Sequence, residues 1–254
     1  MLLVQRLWSS GVGAKLLLLG SAADAAGDGT DLAIPGHNER SRCSARVALD
    51  VCHPDLWPLD GTLWLALSKQ DRGEVSVTRC EWGRWVQWPE SQVVGRGSYP
   101  SLCGDTEHGL FLSFTDAQPT PNYYLREVGA VTATGALLLV HSADGTDWSE
   151  PTVVPDESQA TSSAGAFDAS HGLVLVYSAR RDEGWPLFAR RSDDSGRTWG
   201  EPVMLTEPTA VTMRPDALFC GDRLCVAFLE ERDQTRIVCT MVLGPDDLPS
   251  TAQE

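Results

Sequence analysis

Short apolar runs, each opened by a turn residue, recur along the chain. They are GTLWLAL from Gly61, GLFLSF from Gly109, GLVLVY from Gly172 and DRLCVAF from Asp222, roughly fifty residues apart. Apolar side chains alternate within them with a period of two, and β-branched and aromatic residues are plentiful. That pattern predicts strands rather than helices. A further apolar strand precedes each run: LWPL before Gly61, SYPSL before Gly109, MRPDAL before Asp222, and SAGAF in the same place before Gly172. Gly and Pro interrupt the chain too often for helices of ordinary length.

A polar pattern keeps step with the apolar one. Residues 190–202 read RRSDDSGRTWGEP. Ser192, Asp194, Ser195 and Gly196 are turn chemistry: Gly tolerates positive φ, and a short Asp side chain accepts hydrogen bonds from the turn's own amides. With LFARR before it and TWGEPVML after it, the segment predicts a hairpin tied at its tip by Asp194, with Trp199 returning to a core. Residues 142–151, SADGTDWSEP, repeat the motif one residue shorter. Residues 28–35, DGTDLAIP, repeat that form with Leu32 in place of Trp, and residues 79–89, RCEWGRWVQWP, keep Gly83, Trp85 and a Pro without the Asp.

Each unit then reads as strand A (YPSLCG), strand B (GLFLSF), a variable loop, strand C (ALLLVHSA), a tight turn and strand D (WSEPTVV). Short antiparallel strands repeated in this phase predict an all-β chain, a β-propeller of four-stranded antiparallel blades. A single blade cannot bury both faces, so neighbours must supply the core. Four or five blades fit the length; five is the reading adopted, with units 1–40, 41–95, 96–158, 159–208 and 209–243 in one domain and a flexible tail over 244–254. The last unit has strands A, B and C but no turn motif and no strand D. A ring closed between the N- and C-terminal strands accounts for that.

Composition changes the picture in a few places. The 254 residues contain 20 Lys and Arg against 35 Asp and Glu, a formal charge of -15. Such a field repels phosphate backbones and anionic lipid, which argues against nucleic acid or membrane partners. No apolar run approaches the roughly 20 residues that span a bilayer. Residues 1–26 carry Arg6, Lys15, the Leu16–Leu19 run and small residues near Ala23, faintly like a signal peptide, but the apolar run is short. Their use as strands favours a cytoplasmic protein over a secreted one. Seven cysteines form no disulfide framework. Cys220 and Cys225 flank a turn and could face each other, but two small buried residues is the reading preferred. The five scattered histidines and the lack of CxxC spacing point to no metal, and nothing points to a cofactor.

The segment 192–199 resembles the Asp-box, or bacterial neuraminidase repeat, and its phased copies resemble those of sialidase-like β-propellers. The resemblance implies that the motif is structural and lies between strands C and D, on the face opposite the site. Asp144, Trp148, Ser192, Asp194, Gly196, Thr198 and Trp199 would then tie turns and pack between strands. It also implies a site built of three Arg around a carboxylate, a Tyr–Glu nucleophile pair and an Asp acid/base. The family's Arg-Ile-Pro sequence on a strand A is missing. Ser98 precedes Tyr99-Pro100, Met213 precedes Arg214-Pro215, and Leu56 precedes Trp57-Pro58. Arg214 stands one residue late, so its side chain leaves the opposite face of the strand, which counts against sialidase chemistry.

Function is therefore expected at the loops between strands B and C: 69–74, 116–135, 179–186 and 230–236. They are rich in Arg and carboxylates and include Tyr123, Tyr124 and Trp185. Arg forks and aromatic walls suit a glycan or another polar or anionic small molecule. Trp57, Tyr99, Arg126, Arg180, Arg214 and Arg232 are the candidate binding residues. The alternative is an enzyme acting on that ligand, with Tyr124, Asp182 and Glu230 as catalytic candidates. A third reading is a protein-interaction platform.

Overall fold

The structure is a computed structural model of the chain. It describes residues 2–7, 15–20, 43–46, 51–69, 72–81, 90–116, 134–233, 235–244 and 247–249. The described residues form five antiparallel sheets. Three have four strands in sequential order. One contains β4 (Val51–Leu59), β5 (Thr62–Lys69), β6 (Glu74–Glu81) and β7 (Gln92–Arg96). The next contains β8 (Ser98–Asp105), β9 (Gly109–Thr115), β10 (Leu137–Ser142) and β11 (Thr152–Val153). The third contains β12 (Ala160–Asp168), β13 (Gly172–Ala179), β14 (Leu187–Ser192) and β15 (Val203–Met204). A three-stranded sheet follows, of β16 (Val211–Cys220), β17 (Arg223–Arg232) and β18 (Thr235–Leu243). At the N-terminus β1 (Leu2–Leu7), β2 (Lys15–Gly20) and β3 (Cys43–Arg46) pair in order. The DGTDLAIP copy and most of the 79–89 copy lie outside the described residues.

The period-two pattern explains how the sheets stack. On β13, Leu173, Leu175 and Tyr177 face the preceding sheet and join Cys103, Phe111, Leu137 and Leu139 in one core cluster. The alternate residues Val174 and Val176 face the following sheet and pack with Ala217, Leu224, Val226 and Phe228. The preceding interface repeats the arrangement, with Trp64, Ala66, Val75 and Val77 against Leu102, Leu110, Leu112 and Phe114. A strand that feeds two cores has no solvent face. Tyr177, Phe111 and Phe114 are all below 2% exposed, and each large side chain buried in this way stabilises the fold by roughly 1.5–3 kcal/mol.

First strands of successive sheets run side by side, β4 against β8, β8 against β12 and β12 against β16. Each carries a bulge near its start, at Cys52/Asp55, Ser98/Ser101, Ala160/Ser162 and Met213/Asp216. Pro54, Pro100 and Pro215 sit inside these bulges, where no ladder hydrogen bond is lost. The counterpart of Pro100 is thus Pro54; Pro58, in the LWPL run, lies near the other end of β4. Side chains stitch one first strand to the next. Asp55 accepts from Leu102 N (2.8 Å), Ser101 from Gly165 N (3.2 Å) and Ser162 from Arg214 N (3.0 Å). Small hydroxyl residues dominate here because the converging strands leave little room, and each buried hydroxyl needs a partner. Ser113 bonds Ser163 and Ser178 bonds Thr212, both at 3.0 Å.

Three details differ from the pattern reading. Strands expected over WSEPTVV and TWGEPVML shrink to Thr152–Val153 and Val203–Met204. The tail is held at Leu248, buried among Leu224, Val226 and Leu243, with Gly244 N donating to Asp247 (2.6 Å). Cys220 is exposed and Cys225 half-buried, so they are not two small core residues. They are diagonal neighbours, since Cys220 opposes Arg223 and Cys225 opposes Leu218. Both are free thiols, and their side chains meet across the hairpin.

Candidate functional site

Chain direction divides the molecule into two ends. The β4–β5, β8–β9, β12–β13 and β16–β17 turns share one end with the β10–β11 and β14–β15 turns. The β5–β6, β9–β10, β13–β14 and β17–β18 loops emerge at the other.

The turn end is occupied by its own hydrogen bonds. Asp194 Oδ1 accepts from Arg197 N (3.0 Å) and Thr198 N (2.8 Å), and Oδ2 accepts from Thr198 Oγ1 (2.7 Å). Ser192 Oγ donates to Asp194 (2.9 Å) and accepts from Gly196 N (2.8 Å). The 142–148 turn repeats this network: Asp144 accepts from Thr146 N (2.8 Å), Asp147 N (3.1 Å) and the Thr146 hydroxyl, and Ser142 accepts from Gly145 N (2.8 Å). The Thr146 hydroxyl, with the two turn amides, holds the Asp144 carboxyl well below the usual range. Partial burial opposes ionisation of Asp194, but the Thr198 and Ser192 donors outweigh it and its carboxyl is also lowered. Trp199 packs on the core cluster containing Leu139, and Trp148 on the one containing Trp64.

At the same end Asp105-x-x-His108-Gly109 and Asp168-x-x-His171-Gly172 form a second repeated turn. His108 Nδ1 lies 3.1 Å from Asp105, and His171 Nδ1 2.8 Å from Asp168. His108 leans on Phe167 of the next sheet (5.0 Å) and His171 stacks on Phe219 of the one after (5.2 Å). These histidines bridge sheets. Among the described residues no three His, Cys, Asp or Glu converge as a metal site would require.

The loop end carries a cleft of about 810 Å³, formed by the 180–185 loop with Gln159 and Val211. The loop is pinned on both sides. Arg180 N donates to Gln159 O (2.9 Å) and Arg181 N closes a turn on Gly184 O (2.8 Å). The Arg181 guanidinium reaches Glu157 (2.9 Å), whose carboxylate also accepts from Gln159 N (3.0 Å) and is 3% exposed. Trp185 N donates to Ala210 O (2.7 Å), while Trp185 O accepts from Thr212 N (2.9 Å) and Thr212 Oγ1 (2.7 Å). Gly184 passes so close to the 208–210 link that a Cβ would lie 2.7 Å from Ala210 O. The half-buried Trp185 therefore stands on a fixed backbone, with exposed Arg180, Asp182 and Glu183 beside it.

Of the expected site residues, Arg180 and Asp182 meet in this cleft. Tyr99 and Arg214 occupy equivalent bulge positions on β8 and β16, with φ of 57° and 53°, at the loop end but in separate sheets. Glu230, near the loop end of β17, receives Arg232 bidentately (2.7 and 2.9 Å). That guanidinium outweighs partial burial and holds Glu230 below the ordinary range, so it is an occupied carboxylate rather than a proton donor. Trp57 lies toward the turn end, opposite Trp64, with its indole N–H donating to Gly104 O (3.2 Å). It is there because β4 begins earlier than LWPL suggests. Tyr124 and Arg126 lie outside the described residues. Gln159 and Val211 line the cleft without a sequence signal, because one lies in the link before β12 and the other is the first residue of β16.

No family model and no curated protein matches the sequence. Solved structures do resemble the fold. The α-L-arabinofuranosidase from Lactobacillus brevis superposes with a TM-score of 0.56 at 14% identity, over 78% of this chain and 69% of that one. The GH43 endo-arabinanase from Bacillus licheniformis gives 0.53 at 11% identity, over 76% and 72%. The NanB sialidase from Streptococcus pneumoniae gives 0.50 at 14% identity, over 76% of this chain but only 30% of that one. The chain thus has an all-β propeller fold of the kind seen in glycosidases and sialidases, built from four-stranded antiparallel sheets.

Proposed function

We propose that this chain is a carbohydrate-binding propeller whose ligand sits at the loop end, in the cleft of the 180–185 loop. The observation that carries the reading is the clamped Trp185 beside exposed Arg180, Asp182 and Glu183 in a cleft of about 810 Å³. An apolar ring face next to a few convergent polar groups suits a sugar, and the volume is that of a ligand site. The similar structures act, by name, on arabinose-containing glycans and sialosides, which supports the same ligand class here. In this reading the Asp144 and Asp194 turns are Asp-boxes that hold blades together. The five sheets are five blades of one domain, closed where the N-terminal strands meet the C-terminal blade.

Binding is favoured over hydrolysis because Asp182 and Glu183 are both exposed, so no difference in environment divides them into acid and base. The test is an array of immobilised oligosaccharides probed with the full chain, beside reducing-sugar release from the ligands retained. Retention of a defined glycan class, reduced in Trp185→Ala, is expected. Retention of none by folded protein would end the carbohydrate reading, and sugar release would turn the binder into an enzyme.

A further inference from the structure

The arginines at the loop end suggest an anionic ligand when read from sequence, but the structure commits two of them internally. Arg181 is held by Glu157 at 2.9 Å, and Arg232 by both oxygens of Glu230. Within the cleft this leaves Arg180 against two exposed carboxylates, Asp182 and Glu183. Arg181 also lines the cleft, but its charge is matched by the buried Glu157 carboxylate 2.9 Å away. With Glu157 counted beside the lining, the charges at the cleft are two Arg against three carboxylates, a sum of minus one, inside a chain whose formal charge is -15.

We infer that the cleft selects neutral oligosaccharides and rejects acidic ones, an inference that rests on the carbohydrate reading above. A neutral ring can stack on the indole of Trp185, while Asp182 and Glu183 accept from its hydroxyls. A uronate or sialate carboxylate would meet two like charges with only Arg180 to offset them. Specificity then comes from repulsion as much as from attraction.

The experiment is isothermal titration of the full chain with arabinopentaose and xylopentaose as neutral probes, and with pentagalacturonate and sialyllactose as acidic ones. At low salt a neutral probe is expected to bind at least about tenfold more tightly than either acidic probe, with the gap narrowing as salt screens the repulsion. Asp182→Asn with Glu183→Gln is expected to narrow it without added salt. Trp185→Ala, with its strand signal checked by circular dichroism, is expected to weaken the neutral probe roughly tenfold or more. Acidic probes binding as tightly as neutral ones would overturn the inference and leave the carbohydrate reading standing. Unchanged neutral binding in folded Trp185→Ala would overturn the assignment to this cleft. Binding of none of the probes, together with an empty glycan array, would overturn both.

Discussion

A single carboxylate can organise a whole turn when it has several donors to satisfy. Asp194 takes two amides and two hydroxyls. Asp194→Asn keeps the size but exchanges one acceptor oxygen for a donor. It should cost about 1–2 kcal/mol, read as a lowered midpoint in urea unfolding. Asp168 behaves similarly. Partial burial opposes its ionisation, but the His171 ring and the Ser170 amide prevail and its carboxyl titrates low. Asp168 and Asp194 therefore bind fewer protons folded than unfolded. Their stabilisation is complete above the unfolded value near about pH 4 and is lost as pH falls through the lower folded values. Unfolding free energy measured from pH 6 downward should decline more gently below pH 4 in Asp194→Asn than in the parent; parallel curves would refute the assignment. The Asp194 motif was legible because its Ser, Gly, Thr and Trp have fixed places in a turn. The Asp-x-x-His-Gly turns were not, since their meaning lies in contacts with Phe167 and Phe219 on other sheets.

At the scale of the element, the strands were legible and their ends less so. Alternation located β5, β9, β13 and β17, and in β9 and β13 the alternate residues feed two cores. It could not show where a first strand begins. The bulges at Tyr99 and Arg214 are set by neighbouring strands, and so Trp57 fell at the opposite end from the one expected. The 180–185 loop was visible as polar sequence, but its rigidity was not. That rigidity comes from Glu157, Gln159 and the 208–212 link, all distant in sequence. Gly184 is the sensitive point. Gly184→Ala would force the loop off Pro208 and Ala210, at a cost of about 1–3 kcal/mol. Ligand affinity should fall by more than the stability change explains, because Trp185 would lose its clamp. Titration and thermal unfolding of the same sample separate the two effects.

For the whole molecule, the decisive matter is how the last sheet ends. The three four-stranded sheets share cores with one another, and the face of β16–β18 toward β13 is buried with them. Its other face presents Leu218, Val238 and Val242 at 48%, 74% and 55% exposure. The chain supplies a cover of matching character: β1 and β2 read LLVQRL and KLLLLG, and they form a sheet with β3. If that sheet closes the ring over β16–β18, Val238 occupies a core position in solution. Val238→Lys would then place a charge in an apolar interface and cost more than about 2 kcal/mol. If the face stays open, the substitution is a surface change within about 0.5 kcal/mol. Urea unfolding of Val238→Lys beside Thr240→Lys, its neighbour on the same face of β18, measures which holds. Closure predicts a large loss for both, whereas two near-neutral variants would mean that the N-terminal strands do not complete the ring.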